Sequence, residues 1–188
     1  IKPYLFTTVH KKNINYIDEI IQKANENNIP IAFNFCIDTG KDKEFLLSKE
    51  EKIWAIKKLL EYEKQGKINK LKHPYINSFK GMCLEENEKF RIKGGCTAGI
   101  ASCSILANGN VIPCPFVRIK AGNIYEEPLE KIWRESDLLR KLRDRKSYEG
   151  CGNCKHLAYC GGCRRSAYQS SNKITGFDYN CIAREEVS

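Results

Sequence analysis

The sequence predicts an α/β chain in two parts: a βαβ unit with parallel strands, then a small cysteine-rich region containing a β-hairpin and helices. Three observations carry this reading. Residues 1 to about 70 alternate β-rich apolar runs with helical periodicity and hold one cysteine, Cys36. From about residue 83 onward the other nine of the ten cysteines appear. Within that second region Asn108-Gly109 sits between two apolar runs, the strongest short-range hairpin signal.

The elements follow in order. "YLFTTV" reads as a strand. Asn13 is a plausible N-cap for a helix whose Ile17, Ile20, Ile21 and Ala24 recur at i, i+3, i+4 and i+7, one apolar face. "NNIP" stops that helix, and "IAFNFCI" is a second apolar strand. A crossover of this length joins parallel strands. A further helix opens at Ser48, with Glu51 three residues on as a capping box, and runs through Ile53, Ile56, Leu59 and Leu60. Parallel sheets are covered on both faces and usually contain several strands, so further strands are expected upstream. The missing initiator Met agrees with a chain that is the C-terminal part of a larger α/β protein.

In "SCSILANGNVIPC", counting outward from a two-residue type I′ turn pairs Ala107 with Asn110 and Cys103 with Cys114. Two thiols opposed on one face suit either a shared metal site or a cross-strand disulfide. "GNIYEEPLEKIWRESDLLRKLRDR" predicts a helix started by Pro128, burying Leu129, Ile132, Trp133, Leu138, Leu139 and Leu142. From Cys151 to Cys181 the chain is glycine-punctuated and reads as loop that bound metal would organise.

A chain of 188 residues buries ~70% of the surface its unfolded form exposes, so it needs no disulfides to fold and its ten cysteines ask for a chemical role. "IKPYLFTTVH" has no signal-peptide pattern, and no stretch is apolar for long enough to span a bilayer. A cytoplasmic protein with no membrane partner is expected. The formal charge of +9 would ordinarily raise nucleic acid as a partner. The lysines of Lys41 to Lys72 and the basic residues of Arg118 to Lys146 are mixed with acids, however, and read as solvated helix faces rather than a phosphate track.

The densest signal is "CGNCKHLAYCGGC", residues 151–163. With Cys36 and Cys83 set aside as packed thiols, eight cysteines remain: Cys96, Cys103, Cys114, Cys151, Cys154, Cys160, Cys163 and Cys181. Eight thiols complete two tetrathiolate sites, for two [4Fe-4S] clusters or two zinc ions. Short C-x2-C arcs let backbone amides point at sulfur, and Gly161 and Gly162 permit the tight turn this needs. Two clusters at about 2− each would reduce the +9 to about +5. His156 lies inside the cysteine loop but reads as solvent-facing, since the thiols already fill both sites. Tyr159, Tyr168 and Phe177 flank the thiols as candidate shields against water. Arg164 and Arg165 are candidate donors to sulfur or to an anionic substrate, or surface residues.

The order Cys96-x12-Gly109-x4-Cys114, then C-x2-C-x5-C and an isolated Cys181, together with "GNIYEEPLEKIW", resembles the SPASM domain appended to many radical S-adenosylmethionine enzymes. The resemblance covers about residues 90 to 184. "FTTVHKKNINYIDEIIQKANENNIPIAFNF" resembles the last strand-helix-strand of the partial (β/α) barrel that precedes such domains. It implies residues 1–82 as the C-terminal part of a barrel and 83–188 as the SPASM domain. It also implies interleaved ligands: Cys96, Cys103, Cys114 and Cys163 for one auxiliary [4Fe-4S] cluster, and Cys151, Cys154, Cys160 and Cys181 for the other. Such clusters pass electrons or help position a peptide or cofactor precursor, with a ferredoxin or flavodoxin as electron donor. "CGGCRRSAYQSSNKITG" resembles a branch associated with haem-type tetrapyrrole and metal-cofactor maturation. The C-x3-C-x2-C motif that binds the S-adenosylmethionine cluster is absent from the chain, so S-adenosylmethionine is expected only in a longer parent protein with an N-terminal radical SAM barrel. Two rival readings are a zinc-stapled nucleic-acid or protein-binding module and a stand-alone electron carrier of ferredoxin type. The first gains from the charge; the βαβ start and helical middle count against the second.

Overall fold

The computed structural model describes residues 3–37, 43–69 and 94–182. β1 (Leu5–Val9) and β2 (Ile31–Phe35) pair in parallel, from Leu5 opposite Ile31 to Val9 opposite Phe35. Their crossover is α1 (Ile17–Glu26), which buries Ile17, Ile21 and Ala24. Its end is a Schellman turn: Asn28 takes the left-handed conformation at φ 53°, and the Ile29 and Asn28 N–H groups return to the Ala24 and Asn25 carbonyls. Asn13 does not cap. Its Oδ1 accepts from the His10 N–H at 2.8 Å and its Nδ2 donates to the Thr8 carbonyl at 2.9 Å, so the side chain closes the exit from β1. A 3-10 turn, Ile14–Tyr16, then leads into α1.

α2 (Lys49–Lys64) opens with the expected capping box. Ser48 Oγ accepts from the Glu51 N–H at 3.1 Å, and Glu51 Oε2 accepts from the Ser48 N–H at 2.7 Å. Removing this cap by Ser48→Ala is expected to cost about 1 kcal/mol and to lower the thermal midpoint, whereas an unchanged melt would contradict a working cap. The buried stripe of α2 is Lys52, Ala55, Ile56 and Leu59, with Ile53 and Leu60 only half-buried. It is turned toward Lys52 because α2 also packs against the C-terminal segment, where Lys52 Nζ reaches Asn180 Oδ1 at 3.5 Å.

The second region holds a three-stranded antiparallel sheet of β3 (Ser104–Ile105), β4 (Asn110–Ile112) and β5 (Gly122–Asn123). The hairpin register differs by one from the two-residue turn. Ser104 faces Ile112 and Ile105 faces Val111, the Leu106 N–H bonds the Asn110 carbonyl, and the Gly109 N–H bonds the Leu106 carbonyl. The loop is thus three residues, with Gly109 at φ 79° taking the left-handed position that closes it. Extended by one residue, this register sets Cys103 against Pro113, so Cys103 and Cys114 are not directly opposed.

The single helix expected after Pro128 is two, α3 (Leu129–Glu135) and α4 (Asp137–Arg143), with Ser136 extended between them at ψ 122°. Arg143 holds the corner: its Nε donates to the Gly99 carbonyl, its Nη2 to the Trp133 carbonyl left open by the break, and its guanidinium lies over the Trp133 ring. Ile132, Leu139 and Leu142 are buried as expected, Trp133 and Leu138 half-buried, and Leu129 exposed. The cysteine loop also contains a helix that the glycines obscured, α5 (Arg164–Ser171), closed by Asn172 in the left-handed region.

Two cores result. The first joins β1, β2, α1 and α2 through Val9, Ile17, Ile21, Ile31, Phe35 and Ile56; Ile182 belongs to it and Cys163 packs against it. The second is built on Val117, Leu139, Leu142, Tyr148 and Leu157 with Cys151, and Cys114, Tyr168 and Phe177 pack on its edge. The expected boundary at 82/83, together with Cys83, lies outside the described residues. No described helix is long and apolar enough to cross a membrane.

Candidate metal centre

All eight predicted ligand cysteines fall within the described residues, and none is in a disulfide. Among those residues, no three His, Cys, Asp or Glu side chains already converge on one point. The grouping of the thiols shows instead in pairwise interactions. Burial pushes the Cys163 thiol up to about 12, with the Asp178 carboxylate and Cys96 acting in the same direction. Burial likewise raises Cys114, where the Phe116 backbone N–H opposes the rise and Cys96 adds to it. Cys96 therefore lies close enough to act on both Cys114 and Cys163, although Cys163 is 67 positions from it in sequence. Burial alone raises Cys103. Thiols held neutral in this way must give up protons when a metal binds them.

The loop is shaped around its sulfurs. The Gly162 N–H points at Cys160 Sγ at 3.2 Å, and the His156 N–H at Cys154 Sγ at 3.4 Å. Gly161 and Gly162 both take positive φ, 65° and 68°, so the "GGC" turn has the conformation that glycine makes available. The segment before Cys96 lies along this loop, with the Gly94 N–H on the Ala158 carbonyl and the Cys96 N–H on the Cys160 carbonyl. Thiols from opposite ends of the region are thereby set side by side.

Three charged residues with no distinguishing local pattern hold this arrangement. Arg145, 2% exposed, donates to the carbonyls of Leu157, Ala158, Gly94 and Cys96, stitching the cysteine loop to the chain entering the hairpin. Asp178, 1% exposed, accepts from the Cys163 N–H at 2.6 Å and from the Asn180 N–H at 3.0 Å, tying Cys163 to the segment bearing Cys181. Lys52 comes from the other core and faces Asp178, Cys36 and Cys163; burial lowers its pKa and those three groups oppose the shift. Arg145 and Lys52 are exceptions to the expectation that the basic stretches are solvated faces.

Two further expectations change. His156 is buried, not solvent-facing, because the tight Cys154–Cys160 turn folds it inward, where its backbone serves Cys154. Arg164 is fully buried, whereas Arg165 stays near the surface, its Nη1 donating to the Phe116 carbonyl. Arg164 Nε is a buried donor with no acceptor, and a buried donor left unpaired costs about 1–3 kcal/mol. One orphaned cationic donor, amides aimed at sulfur and an all-thiol donor set fit an anionic iron-sulfur group.

Residues 96–155 match the family model for SPASM, an iron-sulfur cluster-binding domain. This chain carries a SPASM domain. The match begins at the first predicted ligand and takes in the hairpin, Arg145 and the first C-x2-C pair. Similarity extends well beyond the SPASM segment. The chain is 29% identical over 194 aligned residues to an AdoMet-dependent heme synthase of Methanosarcina barkeri, covering 95% of this chain and 55% of that protein. It is 34% identical over 92 residues to the mycofactocin maturase MftC of Mycobacterium ulcerans, 46% of this chain and 25% of that protein. Among solved structures, native anSMEcpe with bound AdoMet and the Kp18Cys peptide superposes with a TM-score of 0.65 at 19% identity, over 98% of this chain and 54% of that one. The chain thus spans about half the length of the heme synthase and the solved structure. Outside the SPASM domain the fold is the mixed α/β arrangement of that structure.

Proposed function

We propose that this chain holds two [4Fe-4S] clusters and serves as the auxiliary-cluster part of a radical SAM maturase acting on a tetrapyrrole or related cofactor precursor. The observation that carries it is the match of residues 96–155 to an iron-sulfur cluster-binding family model, with eight cysteines lying in that segment and just after it. On this reading the ligand sets are interleaved, Cys96, Cys103, Cys114 and Cys163 for one cluster and Cys151, Cys154, Cys160 and Cys181 for the other. Residues 1–82 on this reading are the C-terminal part of a partial (β/α) barrel, and 83–188 the SPASM domain. A precursor of haem type is favoured over a peptide because the similarity to the heme synthase runs through 95% of the chain, that to the mycofactocin maturase through 46%. Clusters of this kind exchange electrons one at a time, here with a donor such as a ferredoxin or flavodoxin. The chain's own residues orient the thiols, keep them dry through Tyr168 and Phe177, and supply donors to sulfur. S-adenosylmethionine would bind in sequence beyond these 188 residues, which contain no C-x3-C-x2-C run.

The anaerobically purified protein is expected to be brown, with a broad absorption near ~400 nm and about eight irons and eight sulfides per chain. A colourless protein holding about two zinc ions would overturn the cluster reading and favour the zinc-stapled binding module.

A further inference from the structure

The guanidinium of Arg164 has more donors than the protein supplies with acceptors. The residue is 1% exposed. Nη1 donates to the Ile174 and Gly176 carbonyls at 3.1 and 2.9 Å, which fixes the loop after α5. One face of the group lies over the Tyr148 ring, 4.2 Å from its centroid. Nη2 is 4.0 Å from Cys151 Sγ, and Nε has no partner. Tyr148 meets the guanidinium with its ring face, and its hydroxyl is turned to donate to the Leu142 carbonyl. A positive charge is thus buried with an open donor beside a predicted cluster ligand.

We propose that Arg164 is the outer donor to the cluster held by Cys151, Cys154, Cys160 and Cys181, giving N–H···S hydrogen bonds and positive charge that favour its reduced state. This rests on the cluster reading above. Taking up one electron from an external reductant such as dithionite makes the cluster one unit more negative. A guanidinium beside it in a dry site therefore stabilises the reduced form more than the oxidised form. Arg164 acts through the cluster and is a positioning and tuning residue, not a catalytic one.

The test is an EPR-monitored redox titration of the reconstituted protein and of Arg164→Gln and Arg164→Lys, each with iron and sulfide analysis. With about eight irons retained, Arg164→Gln should lower the midpoint of one of the two signals by about tenfold in its reduced-to-oxidised ratio at fixed poise, ~59 mV for one electron. The other signal should stay in place. Arg164→Lys keeps the charge and should shift the same signal less. Unmoved midpoints, or equal shifts in both variants, would overturn the proposal and leave Arg164 a packing residue. If Arg164→Gln loses its iron, labelling with 15N-arginine decides: pulsed EPR should show a nitrogen coupling to one reduced cluster that is lost in labelled Arg164→Lys, and its absence, or its survival in that variant, overturns the proposal. Protein without iron and sulfide before any substitution overturns the cluster reading itself, and the role of Arg164 with it.

Discussion

Cys163→Ala is expected to halve the iron and sulfide of the reconstituted protein, from about eight irons to about four, and to alter the same reduced-state EPR signal as Cys114→Ala. Cys181→Ala should halve the iron too, but through the other signal. Sequence adjacency alone argues the opposite, since Cys163 follows Cys160 by three positions and would complete a four-thiol loop. Packing separates them. The Cys160 sulfur takes the Gly162 N–H, whereas Cys163 packs against the first core. Should Cys181→Ala reproduce the Cys114→Ala signal while Cys163→Ala does not, the interleaved assignment is wrong.

What the sequence could announce depended on how local the cause was. The βαβ unit was legible because Ile17, Ile21 and Ala24 repeat at helical spacing between two short β-rich apolar runs. The Ser48 capping box was legible because its partner is three residues away. The hairpin was legible as a hairpin, but its register was not: Asn-Gly is compatible with a two-residue turn and with a three-residue loop ending on Gly109, and the choice moves Cys103 by one position. The eight thiols could be named from spacing, whereas their supports could not. Arg145, Asp178 and Lys52 look like surface charges among many; only the fold brings Lys52 within reach of Asn180, 128 residues on. α5 was hidden because the glycines on either side of it dominate the local pattern.

Arg145→Met should destabilise the protein by about 1–3 kcal/mol, the range for leaving buried acceptors unsatisfied. Four carbonyls, from Gly94, Cys96, Leu157 and Ala158, lose their shared donor at once. Methionine occupies similar volume without satisfying any of them. Arg145→Lys keeps a charge but not the planar fork that spans both strands of chain, so it should recover only part of the loss. Denaturant unfolding of the three proteins measures this; a loss below about 1 kcal/mol for Arg145→Met would show the carbonyls to be served by water instead. The same variant should also hold iron less firmly, because it frees the chain around Cys96 from the loop around Cys160.

Ile182 lies in the core built by the first two strands and helices. A ribosome adding about 5–20 residues per second therefore releases β1, α1 and β2 well before the side chain that completes their packing exists. The nascent βαβ unit waits with an incomplete apolar surface while the whole cysteine region is made. Metal delivery and the final closure of the first core then become linked events, since Cys163 and Ile182 reach that core along the same stretch of chain. Iron starvation during synthesis should leave not a folded, empty protein but one whose first core is open to proteases.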